Sequence, residues 1–576
     1  MTTPRPRFPF EDSTLPVDQR VDDLLSRMQP EDKAGLMFHP LAMFDIDGPG
    51  MMGTPSTREI LDRRITHFNV LGAASARELA EWNNTVQQIA QRHPLRIPAT
   101  ISSDPRHSFT DNPAAALMAG PFSQWPEPLG FGAIGSEELV ERWARVVRRE
   151  YLAVGIRVAL HPQIDLATEP RWGRQSGTFG EDARLTARLG AAYIRGLQGE
   201  GVAHDTISAV AKHFPGGGPQ KDGEDPHFAY GREQVYPGGR FDLHLEPFKA
   251  AIAAGVSQMM PYYGMPIADG MEPVGFGFNR AIITDLLREE LGFDGIVCTD
   301  WGILSGMYWG VEELSYEQRM LKALDAGVDQ FGGEWRTHVL VELIRNGEVE
   351  AARIDRSVRR LLREKFLLGL FDDPFVDPDH AEIVINAEDA REEGIAAQAA
   401  ALTVLANGQG TATLPLAKGL RVYVEGIEPS ALDGRARVVP TPDEADLAIL
   451  RMPAPWEAKD DAHNPIASFF HTGSLAFPDN EIERIAAISS TVPTVIGVSL
   501  DRPAILAPFV DDATTLVADF GAGAEAFVRG VFGELPMRGR LPFDIPSSMA
   551  AVDKSRSDVP FDTANPTFRF GFGLSI

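Results

Sequence analysis

The 576-residue chain has one cysteine, Cys298, so it offers no partner for an intrachain disulfide and no cysteine cluster for zinc. Positive charge is also scarce, because 54 Lys and Arg stand against 81 Asp and Glu and give a formal net charge of −27. This balance argues against non-specific nucleic-acid binding and against a polybasic membrane anchor, since both need basic residues.

Long apolar runs are absent too. No run reaches the roughly 18 residues that a membrane helix needs. The N-terminus is rich in proline and charge, and it lacks the apolar core of a secretory signal. We therefore expect a cytoplasmic protein with no membrane partner and no nucleic-acid partner.

Short apolar runs recur in the first two-thirds of the chain, and each is followed by polar or charged residues. We predict strands in six of them: 97–103, 156–165, 207–214, 256–263, 295–301 and 326–333. Between them, 136–154, 185–199 and 277–292 repeat apolar residues at helical spacing. This alternation indicates a parallel sheet with crossover helices. A (β/α)8 barrel and a doubly wound open sheet both fit, and a length of about 370 residues favours the barrel.

A second alternating block follows the Pro- and Asp-rich segment DDPFVDPDH, which we interpret as a linker. Four runs in this block are typical of buried parallel strands: 420–426, 445–452, 493–500 and 514–520. We predict a barrel domain over 1–375, a linker over 376–390, and a second α/β domain with a C-terminal tail over 391–576.

Polar side chains follow the predicted strands of the first block. Asp104, Lys212, His213 and Asp300 stand at strand ends, so a barrel brings them together. Asp300 precedes Trp301, and a carboxylate beside an indole suits a sugar site, where one attacks and the other stacks on the ring. A helix N-cap is the alternative for Asp300, and a turn is the alternative for Asp104.

Two arginines lie in the segment EPRWGRQSGTFGED. Arg171 and Arg174 both present a fork of donors that suits hydroxyls and carboxylates. We expect at least one of them to pair instead with Glu181 or Asp182 and to pin a long loop.

Cofactor and metal motifs are weak. Residues 521–526, GAGAEA, follow a predicted strand and match a dinucleotide pattern. The acidic residue at the required distance, Asp544, lies between prolines rather than at the end of a second strand. We interpret 521–526 as a strand-to-helix turn. The histidines are scattered without a metal-binding spacing, so we expect no cofactor and no metal.

Six separated motifs together resemble those of glycoside hydrolase family 3. They are SSDPRHS, PRWGRQSGTFGED, AVAKHFPGGG, GFDGIVCTDWG, GRLPFDIP and the terminal FRFGFGLSI, in family order. The opening VDDLLSRMQPEDKAGLM is also similar to the first helices of that family. The resemblance implies a (β/α)8 TIM-like barrel followed by an α/β sandwich domain, and cleavage of β-linked sugars with retention.

The resemblance also implies roles for single residues. Asp300 is similar to the family nucleophile. The implied sugar-binding residues are Asp104, Arg171, Lys212 and His213, and the implied site walls are Trp301 and Tyr262 or Tyr263. We interpret Cys298 as a buried strand residue behind the nucleophile, not as a catalytic thiol.

A retaining mechanism needs a second carboxyl roughly 5–5.5 Å from the nucleophile. In two-domain members of the family this group resembles a Glu on a loop after a strand of the second domain. Here that implies Glu457, and we expect Trp456 to desolvate it and raise its pKa. Asp460, Asp461 and Glu425 are alternatives.

A different acid is also open. The branch of the family that acts on N-acetylglucosaminides uses a histidine shortly after the Lys-His pair. His227, in Asp225-Pro226-His227, is similar in place, although the spacing and the middle residue differ.

The sequence thus predicts a retaining, exo-acting β-glycosidase that acts on a small carbohydrate or glycoside, with β-glucosidase as the first choice. A β-N-acetylglucosaminidase or β-xylosidase of the same family is one alternative. A catalytically inactive sugar-binding protein is an alternative of another class.

Overall fold

The computed structural model describes residues 8–109, 120–457, 459, 465–510 and 514–576. Eight parallel strands form its first domain. They are β1 (Phe38–His39 and Leu41–Ala42), β2 (His67–Val70), β3 (Thr100–Ser103), β4 (Ile156–Ala159), β5 (Ser208–Phe214), β6 (Gln258–Pro261), β7 (Ile296–Val297) and β8 (Phe331–Gly332).

The strands close into a barrel. Each pairs in parallel with its neighbour from β1 to β7. A bridge between Cys298 and Gln330 joins β7 to β8, and β8 pairs with β1. This closure confirms the barrel and excludes the open sheet. Outside the barrel, Glu233–Val235 pairs with Met265–Ile267.

Helices surround the barrel, and the three that the sequence predicts are present. Their bounds are Val17–Arg27, Pro30–Leu36, Thr57–Asp62, Ala76–Ala90, Pro128–Ile134, Glu137–Val154, Ala183–Gln198, Phe241–Ala253, Ala281–Glu290, Tyr316–Ala326, Thr337–Arg345, Ala351–Leu367 and Pro378–Ile385. The helix Glu137–Val154 shows why the boundaries fall where they do. The Ser136 side chain accepts from the Leu139 amide at its start, and Gly155, with φ +89°, ends it.

Part of the predicted linker is a helix. Pro378–Ile385 lies inside 376–390 and packs against the helices Ala76–Ala90 and Glu137–Val154. Pro378 occupies the first helical turn, where a missing N–H costs nothing, and the Asp377 side chain caps the same end. The proline that suggested a linker therefore starts a helix.

The second domain contains one six-stranded sheet. Its strands are β9 (Thr403–Ala406), β10 (Arg421–Glu425), β11 (Arg437–Val438), β12 (Leu447–Pro453), β13 (Thr494–Ser499) and β14 (Thr514–Asp519), in the order β9-β14-β13-β12-β10-β11. The β9–β14 pair is antiparallel and the other pairs are parallel. Helices Glu388–Ala401, Asp479–Thr491, Ala524–Val531 and Met549–Val552 accompany the sheet.

The segment 521–526 joins β14 to the helix that begins at Ala524. Gly521 adopts φ +90°, and a Cβ there would lie 2.9 Å from the Glu127 backbone nitrogen. The interpretation as a tight strand-to-helix turn is therefore confirmed. In the described part of the chain, the helices are too short or too polar to cross a bilayer.

Candidate active site

Asp300 lies just beyond the carboxyl end of β7 and is 8% exposed. Its Oδ1 accepts from the Tyr263 hydroxyl and from the Trp301 amide, both at 2.8 Å. Its Oδ2 is buried, has no hydrogen-bond partner among the described residues, and lies 3.7 Å from His213 Nε2. Residues 301–306 form turns and the next helix begins at Tyr316, so Asp300 caps no helix. One oxygen is thus held in place and the other is available to react.

Lys212 and Asp104 form a charged pair across the barrel mouth. Lys212 Nζ donates to Asp104 Oδ1 at 2.8 Å, and Asn69 Nδ2 donates to Asp104 Oδ2 at 3.0 Å. Burial alone would raise the pKa of Asp104, but the charge and hydrogen bond of Lys212 lower it below its usual value. Asp104 keeps 27% of its side chain exposed. An ionised carboxylate with open lone pairs can accept from neighbouring sugar hydroxyls.

His213 is a neutral imidazole with both nitrogens engaged. Burial lowers its pKa well below the usual value. Arg174 Nη1 donates to His213 Nε2 at 3.0 Å, and a guanidinium can only donate. The proton therefore sits on Nδ1, which donates to Asp165 Oδ2 at 2.7 Å. Asp165 thus fixes the ring that faces Asp300.

The two arginines have separate places. Arg171 makes two hydrogen bonds to the carboxylate of Glu169, at 2.8 and 3.1 Å, and also lies near Asp553. Arg174 is buried and reaches His213. The structure thus puts Arg174, rather than the predicted Arg171, on His213, the residue that faces Asp300. The expected pairing of one arginine with Glu181 or Asp182 is replaced by the pairing with Glu169, because that carboxylate lies two residues away on the same loop.

The two tyrosines also differ. Tyr263, which touches Asp300, is the one on the reacting side. Tyr262 is fully buried and donates to Asp225 Oδ2 at 2.8 Å. Burial, followed by the charge of Asp300, raises the pKa of Tyr263 well above the usual value, so the phenol remains a donor. Trp301 packs on apolar side chains at the top of the barrel interior: Val158, Leu160, Val210 and Met260.

His227 and Asp225 form a second imidazole–carboxylate pair near Tyr263, the residue that donates to Asp300. His227 Nδ1 lies 2.6 Å from Asp225 Oδ1, and the imidazole ring lies 4.7 Å from the Tyr263 ring. Trp172 Nε1 donates to the other Asp225 oxygen at 2.9 Å. Burial would raise the pKa of Asp225, but His227 and then Arg174 hold it well below its usual range.

Glu457 lies on the loop after β12 with an exposed side chain. Its amide donates to the Thr472 carbonyl at 2.9 Å, and its Oε1 lies 3.4 Å from the Ser474 amide. Trp456 stacks on the His471 ring at 4.3 Å and is 39% exposed. The expectation that Trp456 desolvates Glu457 is therefore wrong, because the indole packs against the histidine.

The other acid candidates divide into two groups. Glu425 accepts from the Tyr423 hydroxyl and pairs with Arg484, so both of its oxygens are engaged. Asp460 and Asp461 lie outside the described residues.

Cys298 is fully buried in the barrel, two residues before Asp300 in the chain. Burial raises the pKa of this thiol well above its usual value. Its Sγ lies 3.9 Å from His39 Nδ1. The interpretation as an inert buried residue is confirmed, since the thiolate is the reactive form of cysteine.

Two site residues, Asn69 and Asp165, were not predicted, and Arg174 was considered but not chosen as a sugar-binding residue. Asn69 was missed because β2, HFNV, carries polar side chains toward the barrel interior and does not read as a strand. Asp165 ends a predicted strand, and that position was a signal that could have placed it. Arg174 shares a loop with Arg171, and its direction depends on tertiary contacts. Among the described residues, no group of three or more His, Cys, Asp or Glu could hold a metal ion.

Comparisons with known proteins identify the family of this chain. The sequence model of the Glycosyl hydrolase family 3 N terminal domain matches residues 63–364, and that of the C-terminal domain matches 302–576. Beta-glucosidase C of Emericella nidulans is 49% identical, over 98% of this chain and 93% of the relative. A "Periplasmic beta-glucosidase/beta-xylosidase" of Dickeya chrysanthemi is 39% identical, over 98% and 91%.

Solved structures share the fold. A β-glucosidase from Erythrobacter marinus superposes with a TM-score of 0.82 at 22% identity, over 98% of this chain and 84% of that one. The two family models together span nearly the whole chain, and the curated relatives align with it almost from end to end. The chain therefore belongs to glycoside hydrolase family 3 and is a two-domain glycoside hydrolase.

Proposed function

We propose that this glycoside hydrolase is a retaining, exo-acting β-glucosidase. The observation that supports this proposal is the arrangement of Asp300. Its Oδ1 is fixed by Tyr263 and the Trp301 amide, and its buried Oδ2 has no hydrogen-bond partner within the described part of the chain. A carboxylate held in this way is suited to nucleophilic attack. The names of the relatives at 39–49% identity support glucose as the sugar.

The reaction proceeds in two displacements. Asp300 Oδ2 attacks the anomeric carbon and forms a glycosyl ester, while the bond to the aglycone oxygen breaks. Glu457 gives its proton to that departing oxygen. Glu457 then takes a proton from water, which attacks the ester and releases the sugar with its β configuration.

The remaining polar groups bind the terminal sugar. Asp104, kept ionised by Lys212, accepts from adjacent hydroxyls, and Lys212 donates to one of them. Arg174 supplies a positive charge beside Asp300 and keeps Nε2 of His213 as an acceptor. The indole of Trp301 forms an apolar floor for the sugar ring.

The test uses nitrophenyl glycosides and proton NMR. The wild type should hydrolyse the β-glucoside faster than the β-xyloside or the β-N-acetylglucosaminide, and β-glucose should appear before mutarotation. Asp300→Asn should lower kcat by roughly 10³-fold or more, because the nucleophile is lost. Its thermal transition should stay close to that of the wild type, since the amide keeps the shape of the carboxylate. Near-normal turnover of Asp300→Asn would refute the assignment.

The Dickeya relative, whose name includes β-xylosidase, favours β-xyloside as the second candidate substrate. A higher kcat/KM for the β-xyloside would replace glucose by xylose without changing the mechanism. Sugar binding without any hydrolysis would instead contradict the enzymatic function.

A further inference from the structure

Arg502 is fully buried, with 0% exposure, on the segment after β13. Its guanidinium donates to five backbone carbonyls. They belong to Arg171 (3.0 Å), Gly473 (3.2 Å), Pro455 (2.9 Å), Thr472 (2.7 Å) and Ser474 (3.3 Å). No step of the proposed reaction uses this side chain.

These carbonyls come from three separate segments around the proposed acid. Pro455 lies two residues before Glu457. Residues 472–474 are the segment that pairs with the Glu457 backbone through Thr472. Arg171 belongs to the barrel loop that carries Arg174 into the nucleophile site. Arg502 therefore joins the loop of the second domain to the barrel at this point.

A second contact shows how closely the two domains meet there. A Cβ added to Gly173 would lie 2.6 Å from the His471 carbonyl oxygen, so the backbones are in direct contact. Gly173 is one residue before Arg174. The loop of the second domain and the barrel loop that carries Arg174 are thus in direct contact, and we call this contact the seam between the domains.

The chemistry of Arg502 suits this position. Burial lowers its pKa to about 10, and the charges of Asp501 and Glu457 oppose that change, so the guanidinium stays charged at neutral pH. A planar fork of fixed donors can satisfy several carbonyls at set angles, which a lysine ammonium cannot. A buried cation is costly to maintain, and backbone carbonyls are the groups that compensate it here.

We propose that Arg502 is a positioning residue that sets the Glu457 loop against the barrel, so that proton transfer to the aglycone depends on this guanidinium. The proposal rests on the proposed role of Glu457. It predicts a defect that is specific to proton transfer, because sugar binding and the nucleophile belong to the barrel.

The experiment compares Arg502→Lys and Arg502→Met with a matched control, Arg157. Arg157 is also buried, its pKa is also lowered to about 10 by burial, and it donates to the His204 and Leu368 carbonyls at 2.8 and 2.5 Å. It lies near the amino end of β4, opposite the site. Arg157→Lys and Arg157→Met therefore report the cost of losing a buried arginine without touching the seam.

Each variant is assayed on aryl β-glucosides that range from a good leaving group, 2,4-dinitrophenol, to a poor one, phenol. Arg502→Met should lose roughly 10²-fold more kcat/KM on the phenyl glucoside than on the dinitrophenyl glucoside, since general acid catalysis matters only for poor leaving groups. Glu457→Gln should show the same pattern, and Arg502→Lys a smaller one. The Arg157 variants should lose the same factor on both substrates.

Hydrogen–deuterium exchange gives a second readout that needs no activity. Peptides covering 447–457 and 465–476 should exchange faster in the Arg502 variants, and at the wild-type rate in the Arg157 variants. If Arg502→Met does not fold, Arg502→Lys decides the question by both measurements.

Two outcomes would overturn the proposal. One is that the Arg502 variants lose kcat/KM by the same factor on both substrates, while Glu457→Gln still loses far more on the phenyl glucoside than on the dinitrophenyl glucoside. The other is unchanged exchange of both peptides. Failure of the β-glucosidase function would look different, because the wild type would then hydrolyse none of the glucosides. Hydrogen–deuterium exchange would still show whether Arg502 orders the Glu457 loop.

Discussion

Lys212 keeps Asp104 ionised, and its removal should move the acid limb of the pH–rate profile. Lys212 Nζ and Asp104 Oδ1 are 2.8 Å apart. At this distance two opposite unit charges attract by about 1.5 kcal/mol in water, and by about 6 kcal/mol at an effective dielectric constant of roughly 20. Because Asp104 is partly exposed, we expect a value inside this range. Lys212→Met should therefore raise the pKa of Asp104 and move the acid limb of the profile to higher pH.

The sign follows from the balance at Asp104. Burial raises its pKa, and Lys212 is the main group that opposes burial. Without the lysine, burial prevails and the carboxyl is protonated at a higher pH. A protonated Asp104 has lost its negative charge and accepts sugar hydroxyls less well, so kcat/KM should begin to fall at a higher pH than in the wild type.

The assay is kcat/KM against pH with 2,4-dinitrophenyl β-glucoside, a substrate that needs little acid catalysis. Lys212→Arg retains the charge and should retain the acid limb. Lys221→Met is the control for losing a lysine, because Lys221 is half exposed and pairs with Glu233 on the surface. A Lys212→Met profile that drops evenly at all pH values, with the acid limb unmoved, would refute the reasoning and leave Lys212 as a direct sugar ligand alone.

Three further predictions concern the acid, the arginines and a buried carboxyl. Glu457→Ala should impair poor leaving groups far more than good ones, and His227→Ala should impair both alike; the reverse pattern would assign the acid to His227. Arg174→Lys should lower kcat/KM at least ~10-fold, because Arg174 borders His213 and Asp300. Arg171→Lys should change thermal stability more than kcat/KM, because Arg171 pairs with Glu169. Steady-state kinetics and thermal unfolding distinguish the two effects. Burial raises the pKa of Glu181 to about 8, so the wild type should lose stability as pH rises from about 5 through 8. Glu181→Gln should flatten this dependence of the urea midpoint on pH. An unchanged slope would show that Glu181 does not cause the pH dependence.

The barrel half of the site was predictable from the sequence for a simple reason. Asp104, Lys212, His213 and Asp300 follow strands that read as apolar runs, and parallel strands bring their carboxyl ends to one edge. β1 and β2 did not read as strands, because Pro40 interrupts the first and polar side chains enter the barrel interior from the second. Asn69 lies on β2 and was therefore not predicted as a site residue.

Side-chain direction on loops was not predictable. Arg171 and Arg174 are three residues apart on one loop, and the fold turns one to Glu169 and the other to His213. The buried Trp172 and the contact of Gly173 with His471 accompany that choice, and the second of these involves the other domain. Trp456 was misjudged for the same reason, since its partner His471 is distant in sequence.

The seam between the domains determines how far apart the two proposed catalytic carboxyls lie. The nucleophile belongs to the barrel and the proposed acid to the second domain, so their separation is fixed by groups that bridge the two. Arg502 binds carbonyls on both sides, and Glu181 accepts from the amides of Asp544 and Phe561 in the C-terminal tail at 2.6 and 2.8 Å. Both side chains are buried, and backbone groups supply the hydrogen bonds of the Glu181 carboxylate and of the Arg502 Nη1 and Nη2, while the Arg502 Nε has no partner among the described residues. The loop of the proposed acid Glu457 is thus held to the barrel through backbone carbonyls rather than through its own side chains, which is consistent with Glu457 being harder to recognise from the sequence than Asp300.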